Sequence, residues 1–314
     1  MTDQAPISAF LIAGPTASGK SALAIRLAER FNGCVINADS MQVYRDLHII
    51  TARPDPIDLD RAPHELFGHV DGAVNYSVGL WLKDIEACLA LVRQKGQLPI
   101  VIGGTGLYFK ALTQGISDIP PVPEALREEL RTQFQPLSAP ELHEKLSALD
   151  PAMAQRLRPS DSQRLMRALE VKVATGRSLL EFQGRRSLPL LNIEHCMPLF
   201  LAPERGLLNN RINARFDLMM EQGTLSEVEA LVSRQLDPAL PVMRAHGVPG
   251  LIAYLRGEMS LGEAIDKGKR DTRHYAKRQF TFIRHQLPQF HWISPQNSEA
   301  EIDRLLLHAS SVQA

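Results

Sequence analysis

The 314-residue sequence predicts an α/β protein: a parallel sheet core flanked by helices, with an inserted all-helical domain and C-terminal helices. Three observations lead there. The apolar run Ala9-Phe10-Leu11-Ile12-Ala13 passes through a glycine loop into helical spacing at Leu23, Ala24, Leu27, Ala28 and Phe31. A second run with the same order, Leu98-Pro99-Ile100-Val101-Ile102, precedes Gly103-Gly104-Thr105-Gly106 and a helix-like stretch from Leu107. Between them and the C-terminal third, residues 124–183 keep a helical period with no convincing strand.

In chain order, the first unit reads strand, helix, strand. Gly33 stands where a helix C-cap belongs, and Val35-Ile36 begins a second buried strand that stops at Asp39. The 98–102 run adds a third parallel strand, so three loops fall on the rim where open parallel sheets bind ligands. Ile119-Pro120-Pro121-Val122-Pro123 then breaks the pattern and opens the insertion. Leu199-Phe200-Leu201-Ala202 returns to the sheet, helices follow, and a last short strand is expected around 291–293. The expected limits are a core of 1–118 with 198–314 and an insertion of 119–197.

Composition narrows the class. Hydrophobic residues make up 44% and charged residues 22%, as in ordinary globular proteins. Lys plus Arg and Asp plus Glu both number 35, so only local charge can speak for a polyanionic partner. Cys34, Cys88 and Cys196 are three and far apart, which suits neither a disulfide framework nor zinc spacing and points to a reducing cytoplasm. The apolar run at 7–13 is too short for a membrane span and follows Asp3 rather than a basic region, so no membrane partner is expected. His64 and His69 have no third ligand in sight and read as structural or surface residues.

Gly14-Pro15-Thr16-Ala17-Ser18-Gly19-Lys20-Ser21 matches G-x-x-x-x-G-K-[ST] between strand and helix. The core is therefore P-loop NTPase-like. Loop amides and the helix N-terminus supply partial positive charge, Lys20 a full one, and Ser21 a hydroxyl for Mg²⁺, so the ligand carries a di- or triphosphate. Asp39, ending the second strand, has three open roles: binding Mg²⁺, capping the next helix, or accepting a proton. Gly104-Thr105 brings backbone and a hydroxyl to the same rim.

GPTASGKS, NADSMQVYR, LPIVIGGTGLY and SQRLMRALEV with TGR, in that order and spacing, resemble the tRNA dimethylallyltransferase family. The likeness continues through Arg211, Arg215, Asp217, Met219, Gly223 and Glu227 to Tyr275-Ala276-Lys277-Arg278-Gln279, almost the whole chain. It implies transfer of a dimethylallyl group from dimethylallyl diphosphate to N6 of the adenosine at position 37 of tRNA, with the loop holding pyrophosphate as leaving group. It also implies a catalytic set of Asp39, Thr105, Lys20 and Arg215. Asp39, Ser40, Met41, Gln42 and Thr105 would meet the tRNA, with Arg127, Gln163, Arg164, Leu165, Met166, Arg167, Arg273, Lys277 and Arg278. Expected partners are the anticodon stem-loop and dimethylallyl diphosphate, with Mg²⁺ as cofactor and the chain acting as a monomer.

Charge patterning agrees locally. Residues 156–186 hold eight Lys or Arg against three acids, and 267–284 hold Lys267, Lys269, Arg270, Arg273, Lys277, Arg278 and Arg284 against Asp271 alone. Positions 269, 273 and 277, and 270, 274 and 278, form adjacent stripes on one helix, a phosphate track. In the insertion, Gln163, Arg164 and Arg167 share one arc while Leu165, Met166, Leu169 and Val173 face a core. Ile50, His64-Glu65-Leu66, Phe282 and His246-Gly247-Val248-Pro249-Gly250 depart from the family's residues; none is expected at the chemistry, and 246–250 is given no contact. The rivals are a phosphate-loop small-molecule kinase and an RNA-binding NTPase switch, the latter lacking an aspartate-ending apolar strand other than the one at Asp39.

Overall fold

The computed structural model describes residues 7–120, 122–134, 136–184 and 186–311; Asp3 and Pro121 lie outside them. Six parallel strands form one sheet: β1 (Ala9–Ala13), β2 (Gly33–Asn37), β3 (His64–Glu65), β4 (Leu98–Gly103), β5 (Cys196–Leu201) and β6 (His291–Ile293). Their spatial order is β3-β2-β4-β1-β5-β6. The phosphate-loop strand β1 is therefore central, with Ile12 level with Ile102 on one side and Leu199 on the other.

Every residue of β1 and β2 is buried, as expected for strands covered on both faces. Alternation assigns the faces. Leu11, Val101 and Phe200 pack with Trp81, Ile85 and Leu89 of α3 (Val78–Gln94), whereas Phe10, Ile12, Ile100 and Leu199 pack with Leu23 and Leu27 of the loop's helix, α1 (Lys20–Phe31). A short helix, α2 (Pro56–Arg61), separates β2 from β3, and α4 (Gly106–Gln114) follows β4.

The chain divides into two compact units, Gln114–Pro189 and the remainder. The first holds α5 (Glu124–Phe134), α6 (Ala139–Leu149), α7 (Pro151–Ala154), α8 (Ser162–Thr175) and α9 (Leu179–Gln183) around Leu130, Phe134, Leu142, Leu146, Leu165 and Leu169. Its far limit falls before 197 because Leu190 and Leu191 already donate backbone N–H to the Leu112 carbonyl, at 3.0 and 3.2 Å, and Leu191 is buried in the sheet's core. The remaining helices are α10 (Arg205–Glu221), α11 (Thr224–Ser233), α12 (Val248–Leu255), α13 (Leu261–Gln286) and α14 (Ser298–Ser311). Long α13 starts on a Ser260/Glu263 capping box.

Three details differ from the sequence reading. The C-cap of α1 is Asn32, at φ 50°, and Gly33 opens β2 instead, where a Cβ would come within 2.5 Å of Ile100 Cδ1. Strand β3 was not anticipated, because two residues carry no period. Val173, expected in a core, is 43% exposed; Ala168 and Val171 fill the interior beside Leu165 and Leu169.

Candidate active site

The loop between β1 and α1 turns on two left-handed residues, Ala17 at φ 61° and Gly19 at φ 93°. Gly19 is the N-cap of α1 and offers no side-chain cap, so the first amides of that helix, starting at Lys20, are left for an anion. Gly14 lies against the end of β5; a Cβ there would sit 3.1 Å from the Leu201 carbonyl. Ser18 is fully buried, and its Oγ has no hydrogen-bond partner among the described residues. Lys20 Nζ donates to the Pro15 carbonyl at 2.7 Å. Burial pulls the Lys20 ammonium down to about 8, Asp39 counteracts this, and Arg215 adds to it.

Asp39 stands one turn beyond β2. Asn37 fixes that turn: its Oδ1 accepts the Asp39 N–H at 2.8 Å, and its Nδ2 donates to the Asp39 and Leu66 carbonyls, both at 3.0 Å. No helix follows for Asp39 to cap. Its Oδ1 accepts the Met41 N–H at 2.9 Å in a local turn, while Oδ2 has no hydrogen bond among the described residues. The rim of β4 closes against it, since Gly103 approaches so near that a Cβ would lie 2.1 Å from the Ala38 carbonyl. Thr105 Oγ1 accepts the Ser40 N–H at 2.9 Å and donates to Ser40 Oγ at 3.2 Å. From α13, Gln279 Nε2 donates to the Gly104 carbonyl at 2.8 Å, and Tyr275 of the same helix lines the cavity with Asp39 and Ser40.

Two cavities meet at Arg215 of α10. One, of about 300 Å³, is polar: Ala17, Gly19, Lys20, Ser21 and Arg215 line it, together with Arg53, Asp55 and Asp58. The other, of about 260 Å³, is lined by Thr16, Asp39, Ser40, Tyr275 and Arg215 and by the apolar Met41, Ile50, Ile212, Phe216 and Met219. The second chamber is the more apolar of the two, although Arg244, His246 and the open carboxylate of Asp39 also line it. Arg215 lies in both walls, while Arg211, one turn earlier, is exposed. Burial presses the Arg215 pKa downward and Asp39 supports its charge.

Other expected residues fall elsewhere. Gln42 directs its amide into the protein, donating to the Thr51 and Ala52 carbonyls at 2.9 and 2.8 Å. Leu165, expected at the tRNA, is 0% exposed inside the helical unit, because α8 turns Leu165, Ala168 and Leu169 inward together; it can only support the helix. Met166 packs on that core, and Arg167 pairs with buried Glu170 at 3.4 Å. Gln163 and Arg164 are exposed, the latter pairing with Asp161 at 3.5 Å, and Arg127 on α5 is half-buried.

The basic stripes of α13 separate in a way spacing could not foretell. Lys269 pairs with Asp217 at 2.5 Å, Arg273 donates to Asn213 Oδ1, and Lys267 pairs with Asp271 at 2.7 Å. Arg270, His274, Lys277 and Arg278 are exposed, with Arg278 over the Tyr275 ring at 5.5 Å. Two departures from the family pattern do reach the site. Ile50 and His246 line the apolar cavity, and His246 packs on Tyr275 with ring centroids 4.5 Å apart, so 246–250 is not without contact. No local signal marks either; both arrive through the packing of α12 and α13 on the 43–50 segment.

A parallel sheet with a phosphate loop at its rim, a polar cavity joined to an apolar one and a carboxylate in the latter defines an enzyme that handles an apolar group carried on a phosphate. The chain matches the model of the IPP transferase family over residues 42–286 and that of the isopentenyl transferases over 7–65. It belongs to the IPP transferase family. The tRNA dimethylallyltransferase of Beijerinckia indica is 63% identical over 93% of this chain and 96% of its own, and that of Methylocella silvestris 62% over 94% and 98%. A crystal structure of the tRNA isopentenylpyrophosphate transferase of Bacillus halodurans has a TM-score of 0.70 at 32% identity, covering 98% of both chains. A eukaryotic dimethylallyltransferase acting on tRNA has a TM-score of 0.77 at 28% identity, over 91% of this chain and 73% of its own.

Proposed function

We propose that this enzyme transfers the dimethylallyl group of dimethylallyl diphosphate to N6 of the adenosine at position 37, beside the anticodon of tRNA. The observation that carries this reading is the paired cavity: an anion chamber and an adjoining, more apolar chamber of about 260 Å³, ample for a five-carbon group, joined at Arg215, with Asp39 lining the second. Membership of the family and its tRNA-directed relatives supports it.

The diphosphate lies on the loop amides, Lys20 and Arg215, and the allyl chain against Ile50, Ile212, Phe216 and Met219. N6 attacks C1 as the C1–O bond breaks, and the bonding pair leaves on pyrophosphate. Lys20, the loop amides and Arg215 stabilise the charge that grows there. The exocyclic amine is barely basic and loses its proton as it bonds to carbon; Asp39 Oδ2, free of hydrogen bonds among the described residues, takes it. Thr105, tied to Ser40 by two hydrogen bonds, positions the nucleotide. Exposed Ser21 has a hydroxyl on the anion chamber's wall, and Asp55 and Asp58 share that wall, a hard-oxygen set that fits Mg²⁺. The ion would add positive charge at the departing phosphates.

The base enters unpaired, as RNA-modifying sites require. Exposed Arg270, Lys277 and Arg278 on α13 are the phosphate contacts of the core unit. Arg164 and Gln163 on α8, with Arg127 on α5, serve the helical unit. To test the assignment, the protein is given Mg²⁺, unmodified tRNA and either carbon-labelled dimethylallyl diphosphate or γ-labelled ATP. Label passes to tRNA from the first only; label moving from ATP instead would overturn it.

A further inference from the structure

We propose that Gln279 is a positioning residue for the transfer: its amide fixes the peptide plane that carries Thr105 and, through Thr105, the turn that carries Asp39. The inference rests on the reading that Asp39 and Thr105 act on the incoming nucleotide, and it deepens that reading.

Packing does not account for a glutamine at this place. The buried positions of α13 are Ala264, Gly268, Ala276, Gln279 and Ile283, so a single polar side chain stands in an otherwise apolar row. Gln279 is 6% exposed, and its Oε1 has no hydrogen-bond partner among the described residues. A buried amide oxygen without a partner costs free energy that an apolar side chain of the same size would avoid. What the glutamine supplies in return is at its nitrogen, which donates to the Gly104 carbonyl at 2.8 Å. The amide cannot be turned over, because a carbonyl only accepts and must meet the N–H side.

Gly104 is shaped to receive that donor. A Cβ there would come within 2.1 Å of Gln279 Nε2 and 3.1 Å of Asp39 Oδ2, so the amide and the free carboxylate oxygen share the space that glycine leaves. Gly104 also lies one residue past β4, beyond the ladder that would otherwise take its carbonyl. The Gly104–Thr105 peptide is then held at both ends: Gln279 meets its carbonyl, and its N–H donates to the Ala38 carbonyl at 3.3 Å. Thr105 Oγ1 in turn accepts the Ser40 N–H at 2.9 Å and donates to Ser40 Oγ at 3.2 Å. Both chain neighbours of Asp39, Ala38 and Ser40, are thus tied to one residue whose peptide Gln279 orients. The geometry matters for rate, since an error of about 1 Å in such a group costs on the order of 100-fold.

The test compares wild type with Gln279→Met, which keeps the stem without a donor, and Gln279→Asn, whose amide sits one methylene short of Gly104. Transfer kinetics and amide hydrogen exchange are measured on each, with thermal unfolding to show that the variant is folded at the assay temperature. In both variants kcat falls by roughly 10- to 100-fold. KM for dimethylallyl diphosphate, KM for tRNA and the affinity for inorganic pyrophosphate stay at wild-type levels. Exchange quickens at the Ser40, Met41 and Thr105 amides, which the positioned turn protects. A glutamine that merely supported the fold would lower the unfolding temperature and leave kcat and this exchange pattern alone. Wild-type kcat in either folded variant overturns the proposal, as does unchanged exchange at those three amides. Should the methionine variant fail to fold, the asparagine variant carries the same comparison. Failure of the wild type to prenylate tRNA would instead sink the transferase reading, while the exchange comparison still decides what Gln279 holds.

Discussion

In the proposed mechanism, residue-scale chemistry concentrates at Asp39. One carboxylate oxygen is spent on the Met41 N–H, which sets the side chain's direction, and the other faces the apolar chamber. Asp39→Asn keeps the turn and removes the base, so transfer falls by at least the roughly 100-fold typical of a lost general base while tRNA binding is retained. A single-turnover assay beside a filter-binding titration checks both halves. Lys20 supplies a second handle through its pKa of about 8. A lysine depressed by burial is cationic below that value and neutral above it, so metal-free pyrophosphate binding is strongest below pH 8 and weakens as pH rises through it. Lys20→Arg, which stays charged, lacks this step in a calorimetric pH series. Lys20 was legible because its motif and both flanks are contiguous. Ile50 and His246 were not, since each reaches a cavity through contacts between distant segments.

Helix faces are decided by what packs on them, and α13 shows the consequence for sequence reading. Fourfold spacing correctly identified a basic helix, but contact with α10 commits Lys269 and Arg273 to Asp217 and Asn213 and leaves Arg270, Lys277 and Arg278 outward. Lys277→Ala with Arg278→Ala therefore weakens tRNA binding and lowers its salt dependence by about two in log–log slope. Arg273→Ala, by contrast, loosens α13 on α10 and shows chiefly in thermal unfolding. The same limit explains Leu165, which sits among arginines in sequence but on the opposite arc of α8 in space. At the rim, Gly103 permits β4 and the turn after β2 to close, so Gly103→Ala should cost about 1–3 kcal/mol by overpacking and reduce transfer by displacing Asp39 and Thr105 together. Denaturant unfolding and the transfer assay, run on one preparation, measure the two effects.

At the scale of the whole molecule, the central position of β1 explains why most of the site could be anticipated. A parallel sheet gathers the ends of β1, β2 and β4 on one rim, so three loops remote in sequence converge by topology alone. Contributions from α10, α12 and α13 depend on how that helical layer packs, and only the likeness to the family pointed to Arg215. The helical unit carries its own core and its own exposed Arg164. In the proposed mechanism, what unites these parts is that the phosphate loop retains a leaving group rather than a phosphoryl donor. Nucleoside mass spectrometry of tRNA treated with the enzyme, Mg²⁺ and dimethylallyl diphosphate, with released pyrophosphate counted in the same reaction, tests this most directly. The account predicts one five-carbon group on N6 of the adenosine at position 37 for each pyrophosphate released. Pyrophosphate released without a prenylated nucleoside, or phosphate appearing on the RNA, would contradict it.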